Sequence, residues 1–173
     1  MLTQFREDTR GAAAVEFALC SMMLVVGLMN AVDVGYYGYT RMQVESAAQV
    51  GAQMAWKTCS SNSMLPATQN CSGLTTAITA AVQSTSLGTA VTLASGYPTE
   101  GYYCANSSNQ LVSVGSLSSR PANCSSQSQS GTTPGDYIQV QVTYQYKSMF
   151  PGITIINSVA PTTISKTTWM RLG

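Results

Sequence analysis

Few side chains in this sequence could do chemistry. In the run RGAAAVEFAL, residues 10–19, Glu16 is the one charge after Arg10, and the chain stays uncharged from there to Asn30. An acidic side chain at mid-bilayer costs about 2.5–3.5 kcal/mol on insertion scales, and less near the interface, so it needs a partner or a purpose. Asp33, Glu45, Glu100 and Asp136 stand singly, and the sequence has no histidine. These residues supply no carboxylate pair, nucleophile elbow, phosphate loop or metal-ligand spacing. The expectation is therefore no enzyme, with no catalytic, cofactor-binding or metal residues.

Cysteine offers the other possible chemistry. Of five cysteines, Cys20 lies in the apolar run, whereas Cys59, Cys71, Cys104 and Cys124 lie in Ser/Asn-rich sequence. An even set in such a region points to two disulfides and an oxidising compartment. Three connectivities are possible. Cys59–Cys71 with Cys104–Cys124 is favoured, because each closes a short loop and constrains the unfolded chain by roughly 3 kcal/mol. Zinc is the competing reading, weakened by the lack of histidine, of C-x-x-C and of nearby carboxylates.

Composition bounds the partners. The 173 residues are 45% hydrophobic but only 9% charged, far below the roughly 25% of an average soluble protein. Eight basic and seven acidic residues leave no basic face for nucleic acid. The element that must position Glu16 is a helix. From Ala12 to Asn30 it would span roughly 28 Å, close to the thickness of a bilayer's hydrocarbon. Arg6 and Arg10 precede it, while only Arg41 is basic in the stretch that follows. The positive-inside rule then puts the N-terminus in the cytoplasm, and the cysteines ask for the far side. An ordinary signal peptide would have a shorter apolar region and a clean A-x-A site. At about 6 Å inside the helix start, Glu16 could also simply snorkel to the head groups.

Gly11, the apolar AAAV, Glu16 and the aromatic Phe17 resemble the processing site of type IV prepilins, in particular the TadE-like pseudopilins of the tight-adherence (Tad/Flp) pilus. The resemblance implies cleavage by a prepilin peptidase between Gly11 and Ala12, which makes Glu16 the fifth residue of the mature chain. Glycine there permits an extended backbone. The new α-amine of Ala12 would lie one helical turn from Glu16, at the end of the helix where the dipole favours negative charge. The resemblance further implies that the amine of a neighbouring subunit pairs with Glu16 and sets register. Phe17 stands where the family often has tyrosine. At the other end, the strand running into YQYKSMFPGI and the terminal TTWMR also look TadE-like, so the resemblance covers roughly residues 10–57 and 136–172.

The helix is expected to continue past the membrane. Val34, Tyr37, Arg41, Val44, Ala48, Gly51 and Ala55 recur at three- and four-residue steps, and Ser46, Ala47, Ala48, Gly51, Ala52 and Ala55 form a small-residue surface that a sheet or another helix could approach closely. Gly35 and Gly38 read as a soft point, Asp33 as the outer end of the span, and Tyr36, Tyr37 and Tyr39 as an interfacial belt. A second helix follows at LTTAITAAVQST, with Leu74, Ile78, Ala81 and Val82 on one face. Strands are expected at AVTLA, EGYYCA and QLVSV, then a surface loop at 116–134. The clearest strand is DYIQVQVTYQYK, whose apolar residues from Ile138 alternate with Gln and Thr. TTISKTTWMRLG reads as the last strand, and residues 148–160 as an apolar excursion that packs into its own domain, with docking on the membrane or a partner as the alternative.

The expected fold is α+β and pilin-like: a long N-terminal helix, transmembrane and then extended into the periplasm, packed on a small antiparallel sheet. Its parts are a cytoplasmic leader (1–11), a transmembrane helix (12–34), a periplasmic extension (35–58) and a disulfide-containing head (59–173). The expected role is that of a minor pseudopilin in the bacterial inner membrane. Its partners would be the membrane, the prepilin peptidase, other pilins or pseudopilins and the assembly machinery, with no small-molecule substrate. The alternative is an unprocessed single-pass scaffold of the same envelope machinery.

Overall fold

The computed structural model describes residues 9–59 and 61–173; most of the expected leader, 1–8, lies outside them. The element order is α1 (Thr9–Thr58), α2 (Ala67–Asn70), α3 (Leu74–Gln83), β1 (Val91–Leu93), β2 (Thr99–Ala105), β3 (Leu111–Ser113), β4 (Gly135–Gln145), α4 (Ile156–Val159) and β5 (Thr163–Arg171). The class is α+β, as the hydropathy periods indicate. Contacts divide the chain into two units. One joins α1 up to Tyr39 with Tyr146–Thr162, and the other joins Thr40–Gln145 with Thr163–Gly173.

α1 contains no proline, and its helical assignment runs through Gly35 and Gly38 without a break. Neither glycine has a neighbour that a Cβ would meet, so they do not mark a change of secondary structure. In the first unit, the exposed residues of α1 include Val15, Phe17, Leu19, Met22, Met23, Leu24 and Leu28. A helix apolar on every side has no polar face to turn toward water. This one is long and apolar enough to cross a membrane.

The second unit is built on β4. All five strands are antiparallel: β1 pairs with β4 at Val142–Tyr144, β2 pairs with β4 at Gly135–Gln139, β5 runs along Tyr137–Gln145, and β3 extends the sheet from β2. The period-two pattern of β4 sends Ile138, Val140 and Val142 inward, each fully buried. Val44, Ala47, Ala48, Ala52 and Ala55 of α1 and Leu74, Ile78, Ala81 and Val82 of α3 are buried as well, and at Gly51 the three elements come together, next to Val140, Ile78 and Val82. The small-residue surface thus receives both a sheet and a helix. Ser46 is its one exposed member. Cys59 is joined to Cys71 and Cys104 to Cys124, which ties the end of α1 to the turn before α3, and β2 to the loop at 116–134. Glu45 and Lys166 pair at 2.9 Å on the surface, a contact worth about 0–1 kcal/mol.

Gly51 sets how closely these layers can approach. A Cβ there would lie 2.8 Å from Val82 Cγ2 and 3.3 Å from both Ile78 Cγ2 and Val140 Cγ1. All three neighbours are β-branched and fully buried, so they have little freedom to yield. Overpacking of this kind costs about 1–3 kcal/mol, against about 1 kcal/mol gained by replacing a helical glycine with alanine. Gly51→Ala should therefore lower the denaturant midpoint of the protein by the equivalent of about 1 kcal/mol. In a Val82→Ala background that cost should shrink or reverse. An unchanged or raised midpoint for Gly51→Ala alone would show that the seam has slack.

Candidate functional site

Gly11, Ala12, Glu16 and Phe17 all lie on the first turns of α1. They are exposed, Phe17 at 75%. The Gly11–Ala12 bond is helical here. A protease needs it extended, but it sits in the first turn, where backbone N–H groups have no intrahelical partner and opening disturbs few bonds. No cationic side chain among those described pairs with Glu16; the one ion pair among the described residues is Glu45–Lys166. Glu16 is thus a carboxylate on an apolar, uncovered helix surface.

The outer part of the span is organised differently. Asn30, Asp33 and Tyr37 fall at i, i+3 and i+7, on one helix face, and all three grip the segment 146–162. Asp33 is fully buried. Its Oδ1 accepts the Tyr146 hydroxyl and the Met149 N–H, both at 2.9 Å. Asn30 Oδ1 accepts the Ile155 N–H at 2.8 Å, and its Nδ2 donates to Val26 O at 2.9 Å and to Ile153 O at 3.4 Å. The Tyr37 hydroxyl donates to Pro161 O at 3.0 Å, and its ring meets Tyr146 edge-on at 4.9 Å. Tyr36 and Tyr39 remain exposed, as a belt residue would be, whereas Tyr37 is buried. Segment 148–160 was expected to pack into its own domain. Instead it is held against α1 by polar contacts and turns most of its large apolar side chains outward.

A second cluster joins carboxylates that stand far apart in sequence. The β2–β4 register, Glu100 opposite Ile138 and Tyr102 opposite Asp136, puts Glu100 and Asp136 on one sheet face as diagonal neighbours. Glu100 is committed to α2: its oxygens accept Ala67 N–H at 2.6 Å, Thr68 N–H at 2.7 Å and the Thr68 hydroxyl at 2.5 Å. Asp136 is buried, and no donor among the described residues reaches either of its oxygens. Burial, and after it the negative charge of Glu100, push the Asp136 carboxyl up to about 7, with Arg120 partly opposing. The Arg120 guanidinium lies 5.4 Å from the centre of the Tyr102 ring and donates to Pro134 O. Burial, and then the Asp136 charge, raise the Tyr102 phenol. With Glu100 acting as a helix cap and Asp136 shielded from solvent, the cluster is a structural joint. No three His, Cys, Asp or Glu side chains gather as metal ligands among the described residues.

Residues 11–53 match the family of TadE-like proteins, so the resemblance read from Gly11, Glu16 and Phe17 is shown over most of α1. The match is consistent with a Tad pilus-associated protein, and it does not extend to residues 136–172, where the resemblance was also expected. No curated protein and no solved structure matches the chain.

The Asp136 geometry carries a pH signature. Its folded pKa of about 7 exceeds the ordinary carboxylate value of about 3.9, so between those values the folded state binds more protons than the unfolded one. The contribution of Asp136 to stability is then greatest below about pH 4 and declines as pH rises to about 7, with no further change above. Asp136→Asn should flatten this part of the curve of unfolding midpoint against pH. A wild-type midpoint that rises steadily across the same window, with the same slope in the variant, would contradict a neutral buried Asp136.

Proposed function

We propose that this chain is a minor pseudopilin of a Tad-type pilus, anchored in a bacterial inner membrane and cut by a prepilin peptidase between Gly11 and Ala12. The observation that carries the reading is the TadE-like match over residues 11–53, which contains Gly11, Ala12, Glu16 and Phe17 on an apolar helix without protein cover. The parts are a cytoplasmic leader (1–11), a crossing helix (12–34), an extension of that helix (35–58) and a head (59–173) on the periplasmic side. The protein is not an enzyme. It works by assembly, with the helix as the packing element and the head as the recognition surface, and its partners are the peptidase, other pilins or pseudopilins and the assembly machinery.

Glu16 has the assembly role. After cleavage the Ala12 amine is a fixed positive charge at the helix start. In a stack of such helices, an amine from one subunit opposite the Glu16 of its neighbour neutralises both charges at one register only. A mismatched register leaves a carboxylate in lipid, at a cost of up to about 2.5–3.5 kcal/mol. Phe17 adds a large ring to the same exposed turn.

One observation favours the second reading, an unprocessed scaffold: the helix already includes the Gly11–Ala12 bond. Intact-mass measurement of the membrane-extracted protein, with and without its cognate peptidase, separates the two. The expected result is peptidase-dependent loss of residues 1–11. Glu16→Ala should still be cut yet support few or no pili. Retention of Met1–Gly11 in the presence of an active cognate peptidase would favour the scaffold.

A further inference from the structure

We infer that the segment 149–159 is a lipid-docking foot, which lies in the outer leaflet beside the crossing helix and fixes the depth of the span. The inference rests on the reading of α1 as a membrane-crossing helix and adds a second contact with the bilayer. Its first support is compositional. After Lys147 the chain has no charged residue until Lys166. Within the segment, Met149 is 53% exposed, Ile153 46%, Ile155 54% and Val159 69%, whereas Ile156 is buried at 4%. A short loop that tucks in one isoleucine and turns four large apolar side chains outward makes an exposed apolar patch of the kind that marks an interaction surface.

The second support is position. Asn30 closes the uncharged run of α1, and its amide bonds both Ile153 O and the Ile155 N–H. The two isoleucines are therefore level with the end of the apolar span. Val26, Leu28, Val32 and Val34 are exposed on the same stretch of helix, so the foot continues a surface that already faces lipid in the crossing reading. Buried Asp33 holds the Met149 N–H and the Tyr146 hydroxyl, which keeps the foot from swinging free.

The third support is the polar accounting of the backbone. In water, loop N–H groups can be left to solvent; at lipid depth they must be satisfied within the protein. Met149 N–H is taken by Asp33, Ile155 N–H by Asn30 and Ile156 N–H by the Thr154 hydroxyl. The N–H groups of Ile153 and Thr154 go to Phe150 O, those of Ser158 and Val159 to Ile155 O, and that of Ala160 to Ile156 O. Most N–H groups of the segment are thus satisfied within the protein, but those of Phe150, Gly152 and Asn157 have no partner among the described residues, so the foot suits the interfacial edge of the leaflet and not its hydrocarbon core. A second copy of the chain could cover the same apolar patch, but the continuity with the exposed apolar span favours lipid.

The test uses the full chain reconstituted in vesicles of phosphatidylethanolamine and phosphatidylglycerol, with the disulfides intact. A spin label is placed at Ile155→Cys in a Cys20→Ser background, on native Cys20, and at Ser107→Cys, in the exposed hairpin between β2 and β3, again with Cys20→Ser. The bond to Asn30 is made by the Ile155 main chain, so the substitution leaves it in place. Relaxation by oxygen, which concentrates in lipid, is compared with relaxation by a water-soluble nickel complex. The expected result is severalfold weaker nickel relaxation at 155 than at 107, with strong oxygen relaxation at both 155 and Cys20. Nickel access at 155 equal to that at 107, with Cys20 still in lipid, overturns the foot and leaves the crossing helix standing. Nickel access at Cys20 as well overturns both. A label at 155 shielded from both agents lies in a protein contact, such as a second copy, and overturns the lipid assignment.

Discussion

α1 is a single helix whose two stretches face different demands, and the rest of the structure is arranged around that constraint. Beyond Tyr39 one face is lined with alanine and Gly51 and is buried against β4 and α3. Between Glu16 and Asn30 the helix carries no charge, and its large apolar side chains have no protein cover. Isolated helix formation is only marginally favourable per residue, so each stretch must draw its stability from its surroundings: packing for one and, in the membrane-crossing reading, a non-aqueous medium for the other. The residues between, Asn30 to Tyr37, supply neither a packed face nor uniform apolarity. They supply hydrogen-bonding side chains on one helix face, and the chain returns at 146–162 to use them.

Much of the fold was legible because it is carried by local periodicity. The alternation from Ile138 to Tyr146 gave the central strand, and the spacing of Leu74, Ile78, Ala81 and Val82 gave the buried face of α3. The order of the strands around β4 was not legible, since alternation says which face is buried but not which strand is the neighbour. The same holds for polar joints. Glu100 and Asp136 looked isolated because their proximity depends on the β2–β4 register, and the Glu100 contacts with Ala67 and Thr68 depend on where α2 is brought by the Cys59–Cys71 link. Asp33 and Tyr37 could be placed near a membrane boundary from composition. That they hold a segment more than a hundred residues away could not, although a signal was present: Asn30, Asp33 and Tyr37 share a helix face, and an uncharged excursion elsewhere needs an anchor.

The candidate processing residues were legible for the opposite reason. Gly11, Ala12, Glu16 and Phe17 are close in sequence, so their spacing carries the resemblance without any tertiary information, and the family match covers the same stretch. The fold contributes the surroundings of the motif, which are uncovered.

The carboxylates then differ by how each charge is handled. Glu45 meets Lys166 at the surface, Glu100 is saturated by backbone and hydroxyl donors, Asp33 accepts a hydroxyl and an amide, and Asp136 is pushed up to about 7 by burial and a negative neighbour. For the first three the chain itself supplies a partner, and Asp136 answers its burial by holding its proton to higher pH. Glu16 sits where a charge is least welcome if α1 crosses a bilayer, and no described side chain answers it. Evolution of a mere anchor would have little use for it, since any of its apolar neighbours would insert more readily. A carboxylate left unanswered within one subunit is useful when the answer comes from another, because its cost is then paid back only in the correct assembly. In the proposed assembly, the role of Glu16 is therefore fulfilled between molecules.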